Sequence, residues 1–138
     1  TYHVNNVNII QNSANKDHLK STTEFISIAY SDIFGTVITT DKLSDLSTMY
    51  MAFGDKKLIE EMVIKNFLNE LNTDIPTLYR TSESAIQNFV TDGYKKLFNR
   101  TPDEYELWFV TDMIFKDKNL TAEHIYFSLM TANEYRYY

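Results

Sequence analysis

The chain has 138 residues, 43% of them hydrophobic and 23% charged, which is enough to bury one continuous core without disulfide or metal support. Only three Gly and two Pro occur, so disordered, collagenous and turn-rich sandwich classes are excluded in favour of helices. Thirteen basic against nineteen acidic residues leave a net charge of −6, which repels nucleic-acid phosphates and anionic lipid, and the lack of Cys removes thiolate metal sites and Cys nucleophiles.

Residues 1–20 carry five Asn in the first fifteen positions and a short apolar cluster, Val4, Val7, Ile9 and Ile10. They read as an extended N-terminal arm. The segment is too short and too Asn-rich to hold a helix of its own, so burial of Tyr2 and those four aliphatic side chains is expected to come from a partner. Ser21 with Glu24 forms a capping box, and Phe25, Ile26, Ala29 and Ile33 then make one buried stripe up to a stop at Gly35. Thr39 or Thr40 opens a second helix with Leu43, Leu46, Met49, Tyr50 and Phe53, ended by Gly54. Asp55 caps a third with Leu58, Ile59, Met62, Val63, Phe67, Leu68 and Leu71 on one face.

Asn72 to Arg80 contains Pro76 and breaks the period, so an ordered linker is expected there. A fourth helix follows over Glu83–Asn99, with Ile86, Phe89, Val90, Gly93 and Leu97 inward. The fifth starts at Thr101-Pro102-Asp103-Glu104, read as Thr cap, Pro at the first helical position and Glu closing a capping box. The sixth opens at Thr121 and runs towards Tyr138.

At an offset of 64 residues, Phe25 pairs with Phe89, Ile26 with Val90, Ala29 with Gly93, Tyr30 with Tyr94, Ile33 with Leu97 and Phe34 with Phe98. The register continues through Leu43 with Leu107 and Met49 with Met113. A two-residue adjustment then pairs Val63 with Ile125, Phe67 with Leu129 and Leu68 with Met130. The expectation is an all-α domain at 21–138, built of two repeated three-helix units, 21–72 and 81–138, that bury their faces against each other.

Ala29–Gly35 (AYSDIFG) and Gly93–Leu107 (GYKKLFNRTPDEYEL) resemble a Y-x-x-[IVL]-F-[GN]-R-x-P-x-x-x-E-L pattern. That pattern belongs to the linker domain of cyanobacterial phycobilisomes and to related helical domains of bacterial envelope and surface proteins. Ser128–Tyr138 (SLMTANEYRYY) is similar to the closing S-x-E-[FY]-[YR] of the same pattern. The resemblance implies a non-catalytic domain that organises other proteins. The acidic charge and Thr36-Val37-Ile38 in place of Arg-x-Pro depart from the linkers, so a light-harvesting partner is not implied.

Chemistry-bearing clusters are sparse. His3, His18 and His124 are far apart, and Glu123 and His124, as neighbours on a helix, project about 100° apart and form no dyad. Glu60-Glu61 and Asp103-Glu104-Glu106 fit first helical turns, where negative charge complements the helix dipole. With three Gly in all and no P-loop or G-x-S-x-G, no enzyme, metal site or cofactor is expected. Asn99-Arg-Thr101 and Asn119-Leu-Thr121 match glycosylation sequons, but both threonines are read as helix caps.

The aromatic excess remains, ten Tyr, nine Phe and one Trp. Tyr105, Trp108, Tyr135, Tyr137 and Tyr138 do not all fit one face, and they read equally as packing between the last helices or as a partner-binding surface. Arg100 and Arg136 are read as pairing with nearby acids. The leading expectation is a non-enzymatic accessory or scaffold protein of the bacterial cell envelope. It would be exported or periplasmic, docked on a larger protein assembly such as a membrane complex through its arm and aromatics, with a lipid anchor upstream of Thr1 compatible with that reading. No nucleic acid and no membrane-spanning segment are expected. The alternative is a small peptide- or glycan-binding module with a Tyr-rich groove between the two triplets.

Overall fold

The computed structural model describes residues 16–138. The arm residues Tyr2, Val4, Val7, Ile9 and Ile10 lie outside the described residues. The described chain forms six α-helices: α1 Thr22–Phe34, α2 Thr40–Ala52, α3 Lys56–Leu68, α4 Glu83–Phe98, α5 Glu104–Lys116 and α6 Ala122–Met130. A 3₁₀ turn, Asn133–Arg136, follows α6. Among the described residues, β-pairing is confined to one antiparallel bridge between Leu19 and Tyr137.

Every α-helix begins on a side-chain cap, because its first N–H groups have no intrahelical acceptor. Ser21 and Glu24 form the box expected for α1, Thr39 caps α2, Asp55 caps α3 and Ser82 caps α4. At α5 the start differs from the sequence reading. Asp103, not Thr101, is the cap, and Glu106, not Glu104, closes the box, which places Thr101 and Pro102 in the preceding turn. At α6 the Thr121 cap is answered by His124, whose Nδ1 accepts from the Thr121 N–H at 3.0 Å. The second helix stops at Ala52, with Phe53 rather than Gly54 at its end. The last helix ends at Met130 instead of running to Tyr138.

Within each half the first helix packs on the other two, α1 on α2 and α3, α4 on α5 and α6, and the halves meet where α3 packs on α6. The six residue pairs matched at an offset of 64 along α1 and α4 all lie on the inward stripes, Tyr30 alone remaining half-buried. The turns keep the same offset. Gly35 and Asn99 both adopt left-handed backbone, φ 72° and 60°, and Thr39 and Asp103 both cap thirteen-residue helices. Left-handed backbone is open to Gly and tolerated by Asn, which explains the two residue types. A Cβ on Gly35 would also lie 2.8 Å from Asp74 Oδ2. The third helices differ, α3 having thirteen residues and α6 nine.

The linker between the halves is ordered, as its sequence predicts. Asp74 N–H donates to Ile33 O at 2.7 Å, and Ile75 and Leu78 pack on the core. The Arg80 guanidinium donates to Ile114 O at 2.5 Å and to the carbonyls of Asp117 and Leu120, closing the C-terminal end of α5. Lys56 does the same for α2, donating to the carbonyls of Tyr50 and Phe53.

Gly93 is buried in α4, and a Cβ there would meet Leu129 Cδ1 at 3.5 Å, an ordinary contact. Gly93→Ala is therefore expected to stabilise by about 0.5–1 kcal/mol through helix propensity. Gly93→Leu is expected to cost about 1–3 kcal/mol by overpacking against α6. Denaturant melts of the two variants check this, and equal midpoints would contradict the contact.

Candidate functional site

The residues of the sequence motif meet in a buried ionic clasp. Glu134, 4% exposed, accepts from Arg100 Nε and Nη2, both at 2.9 Å, and from Lys16 Nζ at 2.5 Å. Arg100 also grips Glu106 through both oxygens at 2.9 Å, and Lys16 Nζ donates to Phe98 O. The left-handed turn at Asn99 brings Arg100 back beside the 3₁₀ turn, and the α5 capping box presents Glu106 to it. Burial works against ionisation of Glu106, but the Arg100 hydrogen bonds and the Asp103 N–H outweigh it and hold the carboxyl below the usual range. Burial likewise opposes charge on Arg100, and its two carboxylate partners more than offset it, holding the guanidinium firmly protonated.

Two further buried groups tie the C-terminus to the first half. Tyr135 O–H donates to Asp32 Oδ2 at 2.6 Å, and its ring packs edge-on to Phe25 with centroids 5.8 Å apart. Lys20 Nζ sits 3.6 Å from the Tyr135 ring centroid. Tyr50 O–H donates to Glu60 Oε2 at 2.5 Å, while Arg136 Nε lies 2.9 Å from Glu60 Oε1 as an ion pair not aligned as a hydrogen bond. Glu60 is thus a buried acceptor well inside α3, not a first-turn carboxylate as its sequence position suggests.

Residues 16–20 are extended, but they are held by this same chain. Lys20 N–H donates to Arg136 O at 2.8 Å and Tyr138 N–H to His18 O at 2.8 Å, with the His18 and Tyr138 rings stacked at 5.0 Å. The expectation that a partner covers Tyr2, Val4, Val7, Ile9 and Ile10 falls outside the described residues.

The five expected aromatic contacts separate. Tyr135 is 1% exposed and belongs to the core, so its assignment to a partner-binding surface is corrected: its ring fills the space over Phe25 and its hydroxyl is taken by Asp32. Tyr137 is half-buried beside Leu19, and Tyr138 stacks on His18. Tyr105 and Trp108 are exposed at 56% and 59%, on the outward face of α5. Phe109, Met113 and Phe115, which the sequence reading did not single out, extend the same exposed apolar area. Tyr105 stacks on Phe109 and tilts against Trp108, with centroids 6.0 Å apart in each case.

α5 turns Leu107, Val110, Thr111 and Ile114 inward at helical spacing, so its aromatics occupy positions the core does not use. The matched helix of the first half shows what those positions otherwise hold. At the offset of 64, Tyr105, Trp108 and Phe109 correspond to Asp41, Ser44 and Asp45, which are also exposed. Two helices of the same length, capped at the same register and packed on the same kind of neighbour, thus differ in chemistry on the outward face. Packing does not demand three aromatics there.

Beside this face lies a groove of about 350 Å³ between α4 and α5, with Trp108, Leu107 and Phe115 as its apolar surface. Its charged lining residues are Glu83, Glu104 and Asp112. A second hollow, where the two halves meet, is lined by Lys65, Leu68, Asn69, Glu123, His124 and Phe127. Its lining contains no tyrosine. Among the described residues no group of three or more His, Asp or Glu is placed to hold a metal ion, and no helix is long and apolar enough to cross a membrane.

Comparison of the chain with protein-family models, with curated proteins and with solved structures gives no match. The meaning of the motif therefore rests on its geometry, in which Arg100, Glu106 and Glu134 close the second half of the bundle.

Arg100→Ala leaves Glu134 buried with Lys16 alone and is expected to cost roughly 3–5 kcal/mol, measured by chemical denaturation. A loss under about 1 kcal/mol would show the clasp to be dispensable. The Lys20 ammonium, buried and only partly offset by Asp32, has its pKa lowered from 10.5 to about 8. Between those values the unfolded chain binds a proton that the folded chain lacks, so stability from this group rises with pH across that window. Buried Tyr126, raised to about 12, and Tyr50 and Tyr135, raised by burial and by Glu60 and Asp32 respectively, act in the opposite sense above about pH 10. The melting midpoint is expected to rise from about pH 7 to about pH 9.5, and Lys20→Met to flatten that rise.

Proposed function

We propose that this protein is a non-enzymatic accessory or scaffold module that docks on a larger protein assembly through the aromatic face of α5. The observation that carries the reading is the contrast at matched, exposed positions, Tyr105, Trp108 and Phe109 against Asp41, Ser44 and Asp45. Exposed Tyr and Trp clustered with Phe and Met are the composition of an interface centre, where large rigid rings supply contact area at low entropic cost. A contiguous outward apolar area has no role in the folded chain alone. An envelope location is part of the proposal.

The reading also explains the investment in the clasp. Arg100 and Glu106 fix the first turn of α5, and Arg80 fixes its last, so the aromatic face is held rigidly at both ends. Rigid presentation reduces the entropy lost on docking. The tagged protein, recovered from its native source, is expected to bring down a defined protein partner. Trp108→Ala combined with Tyr105→Ala is expected to weaken that association by about 2 kcal/mol or more while moving folding stability by less than about 0.5 kcal/mol. An undiminished partner on the double variant would remove α5 from the interface.

A further inference from the structure

The groove beside Trp108 carries an unbalanced charge. Its charged lining residues are Glu83, Glu104 and Asp112, with no basic residue among them, against the apolar surface of Leu107, Trp108 and Phe115. Glu83 and Glu104 stand in first helical turns, where the helix dipole favours a carboxylate. Asp112 has no such role, since it lies two turns inside α5. It already attracts a cation from this chain, Lys116 Nζ at 3.2 Å, in an exposed pair one helical turn away.

Resting on the docking reading above, we infer that this groove receives an apolar segment of the partner that carries lysine or arginine. The segment's aliphatic or aromatic side chains lie on Trp108 and Phe115, and its cation faces the three carboxylates. The indole face of Trp108 adds a second attraction for the same cation. Charge decides among the possible occupants. A second copy docked through this face would crowd two sets of these carboxylates together, and like charges opposed at an interface disfavour association. Residues 1–15 of this chain contain no Lys or Arg, so they bring no balancing charge. A neutral glycan would bring no positive charge to the three carboxylates, whereas a lysine or arginine side chain does.

Trp108 is the single tryptophan of the chain, so its emission reports on this groove alone. The probes are three synthetic peptides of equal length and leucine content, differing only in whether their polar positions are lysine, glutamine or glutamate. The leucine–lysine peptide is expected to shift Trp108 emission and bind about tenfold more tightly than the leucine–glutamine peptide at low salt, with that advantage lost at high salt. The leucine–glutamate peptide is expected not to bind. The triple variant Glu83→Gln, Glu104→Gln, Asp112→Asn, with its helix content verified by circular dichroism, should erase the advantage of lysine and leave glutamine-peptide binding unchanged. Equal binding of the lysine and glutamine peptides, indifferent to salt and to the triple variant, would overturn the charge inference while leaving the docking reading intact. No response of Trp108 to any peptide would overturn both. A concentration-dependent dimer abolished by Trp108→Ala would assign the face to a second copy instead. A shift of Trp108 emission by neutral oligosaccharide and by no peptide would assign it to a glycan.

Discussion

A carboxylate with almost no access to water must be surrounded by donors, and Glu134 meets that demand with groups from two distant places in the chain. Lys16 comes from the extended segment before α1 and Arg100 from the turn between α4 and α5. Desolvating these charges costs several kcal/mol per ion, a cost offset only when the geometry is complete. Completeness here requires the left-handed residue Asn99, the capping box at Asp103 and the 3₁₀ turn to be formed together. The direction of α5, and with it the outward presentation of Tyr105 and Trp108, follows from that requirement.

The first half solves the same turn without ions. Gly35 replaces Asn99 in the left-handed position, and Ile38, which is buried, stands where the second half has Pro102. The backbone of Asp74 then secures the end of α1 through Ile33 O. The turn after α1 is therefore held by apolar burial and a linker hydrogen bond, and the turn after α4 by an Arg–Glu network. The network replaces a plug of side chains with a set of directional bonds, which fix an orientation as well as a distance.

Helices, most caps and the inward stripes of α1 and α4 were legible because each depends on residues within one or two turns of each other, whereas Leu58, Met62 and Leu71 of the expected α3 face are exposed. Ser21 with Glu24 and the Phe25–Ile33 stripe are local statements of that kind. The start of α5 was misread by two residues because Thr101-Pro102 and Asp103 both satisfy cap chemistry locally, and the choice is made by Arg100 holding Glu106. Tyr135 could not be placed from sequence, since its burial depends on Asp32 and Phe25, which are more than a hundred residues away. Glu60 was hidden because, besides nearby Tyr50, its charge partner Arg136 lies far along the chain. The aromatic face of α5 was half visible. Tyr105 and Trp108 stand out in the sequence as polar-tipped rings, whereas Phe109 and Phe115 carry no polar tip to distinguish them from core phenylalanine.

The pairing of residues 18–20 with 136–138 has a mechanical consequence. His18 and Tyr138 sit side by side at the open end of this short antiparallel pair, so tension applied between the two ends of the described chain loads its hydrogen bonds one after another instead of together. The two bonds would part like a zip, Tyr138 to His18 first and Lys20 to Arg136 next. Lys16, at the loaded end itself, would be drawn off Glu134 and Phe98 from the outset. A module tethered at both ends would therefore yield at this seam under weak pull while its helices stayed packed.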